Sequence, residues 1–487
     1  MKLVAREAEV EILENIYASD NPEFLAVYGR RRVGKTYLIR NFFENKKAIF
    51  FNVTGSKNGP IQEQISHFIS QIGRVFYDGL NIQEEKTWDK ALGLLTDIFE
   101  KRVSKNKKII LFFDELPWMA TRNSRLLEAL DYHWNQHWSN DKRIKLIVCG
   151  SSASWIVNKI INNKGGLHNR ITRRMRLDPL SLTQTKRFLD KAGVKLNSRQ
   201  VLILFMVMGG IPYYLSQVEK GLSALQVIEK LVFSKDAFLL HEFDNLFSSL
   251  FDNSEFHVKA VRLLAEYPYG LAGRELLEKI GPHAVGGTGH SKLEELVQTG
   301  FIKKFKPVFS KKNGTYYQLI DEYTLFYLKW IDPIKEVLEQ ESMDHENWRA
   351  IQASPSWYSW LGLAFELVCY KHLSKIKKSL HLSAVSSVGT WRYVPQKNSE
   401  KEGAQIDLLF DRQDDCMTLC EIKYSETPFV LTKDYVEVLQ KKVRVLKEQT
   451  GTTKQVLIAM VSAQGLKSNF YDEDLISQVV TLEDLFE

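Results

Sequence analysis

The chain has 487 residues, 44% of them hydrophobic and 26% charged, with a formal net charge of +7. That length exceeds what one hydrophobic core serves, and the composition excludes a disordered, collagen-like or disulfide-scaffold chain. No apolar run approaches the roughly 18 residues of a membrane span, which sets the expectation of a cytoplasmic protein with no membrane partner.

The first predicted unit is "EFLAVYGRRRVGKTYLIRNFF", a short apolar strand, a glycine-bounded loop and an amphipathic helix. The loop fits GxxxxGK[ST] with Gly29, Arg30, Arg31, Arg32, Val33, Gly34, Lys35 and Thr36, followed by Tyr37. Glycines let the backbone wrap a phosphate, and successive N–H groups and the helix N-terminus point at negative charge. Lys35 is then placed to neutralise the outer phosphates and Thr36 to coordinate magnesium.

Further on, "KKIILFFDELPWM" is a buried strand ending in Asp114 and Glu115. At the carboxyl end of a parallel strand, Asp114 suits a magnesium ion and Glu115 suits polarisation of the attacking water. The competing reading is a helix N-cap. The strand "RIKLIVCG" ends at Ser151, whose hydroxyl is placed to sense a terminal phosphate. In "LHNRITRRMRLDPLS", Arg170, Arg173 and Arg174 precede a strand-like stretch, as arginine fingers in cis or across a subunit interface, or as a solvated basic turn.

The phosphate loop, "FFDELPW", "VCGSS" and "MGGIPYYL" resemble the archaeal-type ATPases, a STAND-class branch of the AAA+-like P-loop proteins. The opening "VAREAEVEILENIY" also resembles that family's start, with Val10 in place of leucine. The resemblance implies ATP as the nucleotide, a helical lid over about 177–250 and a switch-like use of ATP.

From residue 255 three short helical stretches, "EFHVKAVRLLAEYP", "LAGRELLEKIG" and "GHSKLEELVQTGF", precede the hairpin "IKKFKPVFSKKNGTYYQL", a pattern that predicts a winged helix. Its third helix would enter a DNA major groove, with Lys303, Lys304, Lys306, Lys311 and Lys312 against phosphates. Alternatively the unit packs within the chain and the lysines keep the hairpin soluble. The aromatic stretch "YYQLIDEYTLFYLKWIDP" predicts a core helix docking the two halves.

In the last third, Glu366 lies in the amphipathic helix "WLGLAFELVCYKHL" and Asp407 in the alternating strand "GAQIDLLFD". The polar turn "DRQDD" links that strand to "LCEIKYSE" as a hairpin, with Glu421 and Lys423 projecting on one face near a sheet edge and Ile422 on the other. Asp407 and Glu421 would then bring oxygen ligands to a hard cation, with Lys423 beside the metal-bound water. A helix, "KDYVEVLQKKVRVLKEQ", and a strand, "QVLIAMV", complete an α/β core.

The set Glu366, Asp407, Glu421 and Lys423 resembles the PD-(D/E)XK nucleases, with Ile406 in place of the proline. The nearest description is the archaeal-type ATPase with a C-terminal domain of unknown function 234. That resemblance implies a magnesium-dependent nuclease site; the alternative is a degenerate nuclease fold that binds without cutting. The four cysteines lack CxxC spacing and predict neither disulfides nor a zinc site.

The expected fold is multidomain α/β: a P-loop ATPase core (1–176), a helical lid (177–250), a winged helix with linker helix (251–335) and a restriction-endonuclease-like α/β domain (336–487). The expected function is an ATP-driven switch controlling a nuclease that acts on DNA, with ATP and Mg2+ as cofactors and a homo-oligomer as a possible assembly. The rivals are a non-catalytic ATP-dependent regulator and an ATP-driven remodeller.

Overall fold

In the segment "EFLAVY" five of six residues are buried, and a strand covered on both faces belongs inside a parallel sheet. The computed structural model, which describes residues 3–162, 167, 169–234, 236–309, 314–340, 345–382, 385–396 and 401–487, forms that sheet from β1 (Glu23–Tyr28), β2 (Ala48–Thr54), β3 (Lys108–Asp114), β4 (Ile144–Cys149) and β5 (Arg173–Arg176). The order is β2-β3-β4-β1-β5 and every pairing is parallel. The carboxyl ends of β1, β3 and β4 therefore lie side by side, and the phosphate loop, Asp114–Glu115 and Ser151 leave the sheet along one edge. Helix α1 (Glu7–Ala18) precedes β1, and Arg6, just before it, donates to the Val33 carbonyl inside the loop at 3.1 Å. The loop opens into α2 (Lys35–Phe43).

Lid helix α3 (Leu182–Lys191) begins with a capping box, Ser181 and Gln184 each bonding the other's backbone N–H. Helix α4 (Ser198–Met208) is buried at every position from Val201 to Met208, as befits a helix packed all round. Helix α5 (Glu242–Leu250) completes this layer.

The winged helix forms as the pattern predicts, with α6 (Glu255–Glu266), α7 (Gly273–Ile280) and α8 (Gly287–Gln298). Its antiparallel sheet has the order β6-β8-β7 and contains one short strand the sequence reading missed, β6 (Leu271–Ala272), beside β7 (Ile302–Phe305) and β8 (Tyr316–Leu319). Two residues carry too little alternation to announce a strand. The aromatic docking segment starts as α9 (Glu322–Phe326), with Tyr323, Phe326 and Tyr327 buried in the core shared by the lid, winged helix and C-terminal region.

Helix α10 (Pro355–Lys371) is followed by the second five-stranded sheet, β9 (Val385–Tyr393), β10 (Ala404–Arg412), β11 (Cys416–Lys423), β12 (Gln455–Ser462) and β13 (Ile476–Val480), in the order β13-β12-β11-β10-β9. The first three strands form an antiparallel meander; β12 and β13 run parallel to β11. The crossover from β11 to β12 is α11 (Lys433–Thr450). Side-chain alternation divides the sheet: Leu408, Phe410, Cys420 and Ile422 join the core that contains α10, whereas Leu409, Met417 and Leu419 pack with Leu439 and Leu446 of α11. "LCEIKYSE" thus falls on the central strand and not near a sheet edge, which corrects one expectation. The hydrophobic alternation fixed its two faces but carried no information on strand order.

The short helix α12 (Leu482–Phe486) returns to the lid, where the Thr183 hydroxyl donates to the Phe486 carbonyl at 2.6 Å. The cysteines are all unpaired. No helix among the described residues is long and apolar enough to cross a membrane.

Candidate functional site

Two glycines make the phosphate loop possible. Gly29 has φ +142°, and a Cβ there would lie 2.2 Å from the Leu177 carbonyl oxygen; Gly34, at φ +91°, turns the chain into α2. Lys35 is buried, and its ammonium donates to the Gly29 and Arg30 carbonyls at 2.9 Å each. Burial pulls its pKa below the ordinary lysine value, opposed by Cys149, Glu115 and Asp114. The Thr36 hydroxyl reaches Asp114 Oδ1 and Oδ2 at 3.1 and 2.9 Å. Burial raises the Asp114 pKa and the Thr36 bond counteracts it. Hydroxyl and carboxylate oxygens beside a nest of backbone N–H groups fit a magnesium ion carried with nucleotide phosphates, and Thr36 and Asp114 are the residues that would hold it.

Glu115 sits at φ +48°, and its carboxylate accepts from Ser151 N–H and Oγ–H at 2.9 and 2.8 Å. The structure thus joins the two residues that the sequence placed on separate strand ends. Tyr37 is exposed on the first turn of α2.

Two of the loop's arginines are committed to acids of distant elements. Buried Arg30 pairs with Asp321, the N-cap of α9, and its guanidinium lies 5.1 Å from the centre of the Phe301 ring. Arg32 pairs with buried Glu242 of α5 at 2.8 Å and stacks over Tyr213 at 4.5 Å. Arg31 lies between them, half-buried. These partners were hidden from the sequence, because each lies well over a hundred positions away.

Arg170 and Arg173 correct the finger reading within one chain. Both are exposed, and Arg173 pairs with Leu25, about 13 Å along the strand direction before Gly29. Since β5 runs parallel to β1, Arg170 lies still farther toward the amino end of the sheet, away from the chain's own phosphates.

The wing corrects the DNA-contact expectation at Lys303. Lys303 is half-buried with its ammonium 3.6 Å from the centre of the Tyr370 ring on α10, and Val308 N–H donates to the Thr390 carbonyl of β9 at 3.2 Å. The hairpin packs on the C-terminal sheet, so Lys303 is not free for a phosphate. Lys304 is exposed but pairs with Glu294 of the third helix at 2.7 Å; Lys306 is exposed; Lys311 and Lys312 lie outside the described residues.

The C-terminal carboxylates do converge. The β10–β11 register sets Leu408 against Cys420, and its continuation puts Asp407 opposite Glu421. Asp407 Oδ2 accepts from the Ile422 N–H at 3.0 Å, and Tyr370 O–H donates to the Asp407 carbonyl at 2.6 Å. Burial and the neighbouring Glu421 raise the Asp407 pKa. Glu366, from α10, is pushed up to about 8 by burial and by Asp407. It also borders a cavity of about 580 Å³ between the winged helix and α10, shared with Tyr269, Trp360 and Tyr370.

Lys423 lies 3.3 Å from Glu421 Oε1. Two residues of α11 went unnoticed in the sequence: Tyr435 O–H donates to Glu421 Oε1 and Lys442 Nζ to Oε2, each at 2.5 Å. The donors are the hard oxygens magnesium prefers, yet among the described residues no group of three or more His, Cys, Asp or Glu is arranged to hold a metal ion. Both oxygens of Glu421 are already occupied by protein.

A phosphate loop between a parallel strand and its helix, with a threonine on a strand-end aspartate, defines a P-loop ATPase. Residues 3–218 match the family described as an ATPase domain predominantly from Archaea, and residues 327–439 match a family described as Archaea bacterial proteins of unknown function. An uncharacterized protein of Methanocaldococcus jannaschii is 27% identical over 432 residues, covering 87% of this chain and 88% of the relative. Among solved structures, the Walker-type ATPase of Pyrococcus abyssi gives a TM-score of 0.47 at 20% identity, covering 67% of this chain and 96% of its own. The Aeropyrum pernix ORC2 protein, in ADPNP–ADP complexes, gives 0.44 at 17% identity, covering 69% and 95%.

Proposed function

We propose that this chain is an ATP-hydrolysing switch whose nucleotide state governs a magnesium-dependent, nuclease-like C-terminal domain acting on DNA. The observation that carries the proposal is a path of charge, buried at Arg30, Asp321 and Glu322 and reaching the surface at Lys371. Arg30 of the phosphate loop pairs with Asp321; the next residue, Glu322, pairs with Lys371 at 2.7 Å; and Lys371 ends α10, the helix that presents Glu366. A rearranged loop cannot leave that path undisturbed, because unpairing a buried ion costs several kcal/mol, about 3–5.

In this reading Lys35 exchanges the Gly29 and Arg30 carbonyls for nucleotide phosphates, and Glu115 leaves Ser151 to orient the attacking water. Magnesium at Thr36 and Asp114 supplies charge neutralisation of the phosphates. We divide the chain accordingly into a core (1–176), lid (177–250), winged helix with linker (251–335) and nuclease-like domain (336–487). Arg170 and Arg173, remote from their own loop, serve a neighbouring copy if the chain assembles. DNA is engaged by the C-terminal domain, with Asp407 and Glu421 as the ion-holding carboxylates, Glu366 beside them and Lys423 facing the phosphate.

A second reading, a non-catalytic ATP-dependent regulator, is favoured by the occupied oxygens of Glu421. Incubating the purified chain with magnesium, ATP and labelled DNA and RNA panels decides between them. Cleavage that is abolished by Asp407→Ala while ATP hydrolysis persists supports the nuclease; nucleic-acid-responsive ATP hydrolysis without cleavage selects the regulator.

A further inference from the structure

Helix α11 turns two polar side chains inward where an amphipathic helix turns apolar ones. Tyr435, Leu439, Lys442 and Leu446 follow one stripe at spacings of four, three and four; Leu439 and Leu446 are fully buried in the core beneath β10 and β11. Lys442 thus occupies a core-facing position, with its side chain only 14% exposed. A lysine in that position needs a partner, and it has Glu421, itself 2% exposed.

We infer that Lys442 is the resident counter-cation of the carboxylate site: its ammonium holds Glu421 where a divalent ion would otherwise sit, and an ion binds only as Lys442 withdraws. This rests on reading the site as a metal-dependent nuclease centre. Glu366, Asp407 and Glu421 face the ammonium groups of Lys423 and Lys442. Three carboxylates against two ammonium groups leave at most one unit of negative charge for an ion of charge two. A divalent cation added with Lys442 in place leaves excess positive charge in a largely buried pocket, which is strongly unfavourable.

Withdrawal of Lys442 frees Glu421 Oε2 and removes one positive charge in a single movement. Tyr435 lies two helical turns earlier on the same face, so a small shift of α11 releases both oxygens of Glu421 together. Lys442 is in this sense a positioning residue: it acts on the site through Glu421.

The test is a calorimetric titration of the full chain with magnesium chloride and with manganese chloride, without nucleotide. Lys442→Met and Lys442→Gln are expected to bind the ion tighter by about tenfold or more, the scale on which close charge pairs couple. Lys442→Arg, which keeps the ion pair, is expected to retain the parent affinity. A lysine with a merely structural role would leave affinity unchanged or lower it, and either result in variants that circular dichroism shows to be folded overturns the inference. Should Lys442→Met not fold, Lys442→Gln, which can still donate a hydrogen bond to Glu421, decides the matter. Binding that Asp407→Ala abolishes but that the Lys442 variants leave unaltered overturns the counter-cation role alone. No binding in the parent or in any variant overturns the metal reading of the site, and this inference with it.

Discussion

Lys35 spends its buried ammonium on two carbonyls of its own loop, so its side chain is both a loop brace and the charge that meets phosphate. Replacing it in Lys35→Ala removes a charged donor worth about 1.5–3 kcal/mol, an expected loss of roughly 10- to 150-fold in ATP affinity by calorimetry. In the other sheet, Ile422 is 3% exposed between Glu421 and Lys423. Ile422→Ala is expected to lower stability by about 2–5 kcal/mol in a denaturant titration, with the midpoint moving and the slope unaltered. The phosphate loop was legible because its chemistry is contiguous, eight residues with one backbone task. Lys442 and Tyr435 were not recovered, although the signal existed: a lysine in phase with Leu439 and Leu446 breaks an apolar stripe. Arg30 and Asp321 left no such trace, since neither residue's neighbours in sequence hint at the other.

Among elements, the wing shows how far pattern reading reaches. Its hairpin strands were predicted correctly, because the hairpin pattern is local, but the surface its lysines face is a tertiary fact. Lys303 lies against Tyr370, where burial and nearby Lys371 pull its pKa from 10.5 to about 8. Between about pH 8 and 10.5 the unfolded chain therefore binds more protons at this residue than the folded one. Stability should rise with pH across that window, and Lys303→Met should flatten the rise, as read by denaturant midpoints at pH 7.5, 9 and 10.5. An equal rise in both proteins would place Lys303 in solvent and free the wing. The β10–β11 hairpin, the α11 crossover and β12 were readable for a similar reason, since their patterns and the turn between the first two are local, whereas β9 and β13 were missed. Strand order was not readable, because the central position of β11 follows from how β12 and β13 extend the sheet.

For the molecule as a whole, the charged contacts between the phosphate loop and distant elements set how the parts respond to one another. Asp321→Asn retains an acceptor for capping α9 and removes only the charge opposite Arg30. It is expected to destabilise the chain by up to about 3–5 kcal/mol, and to speed amide hydrogen exchange in the winged helix more than in β3 and β4. Uniformly faster exchange would show that the ion pair holds the fold in general and does not link the loop to the winged helix. The lid has a further dependence, through the contact of Thr183 with Phe486, 303 positions apart in sequence. Synthesis proceeds at about 5–20 residues per second, so α3 waits roughly 15–60 s for the segment that covers it. Through that interval the ATPase core can fold on its local contacts while the lid surface that α12 covers stays open. The nascent chain thus passes through a stage in which the phosphate loop has been made and its lid is unfinished, a stage at which a chaperone or a second nascent chain can cover that surface first.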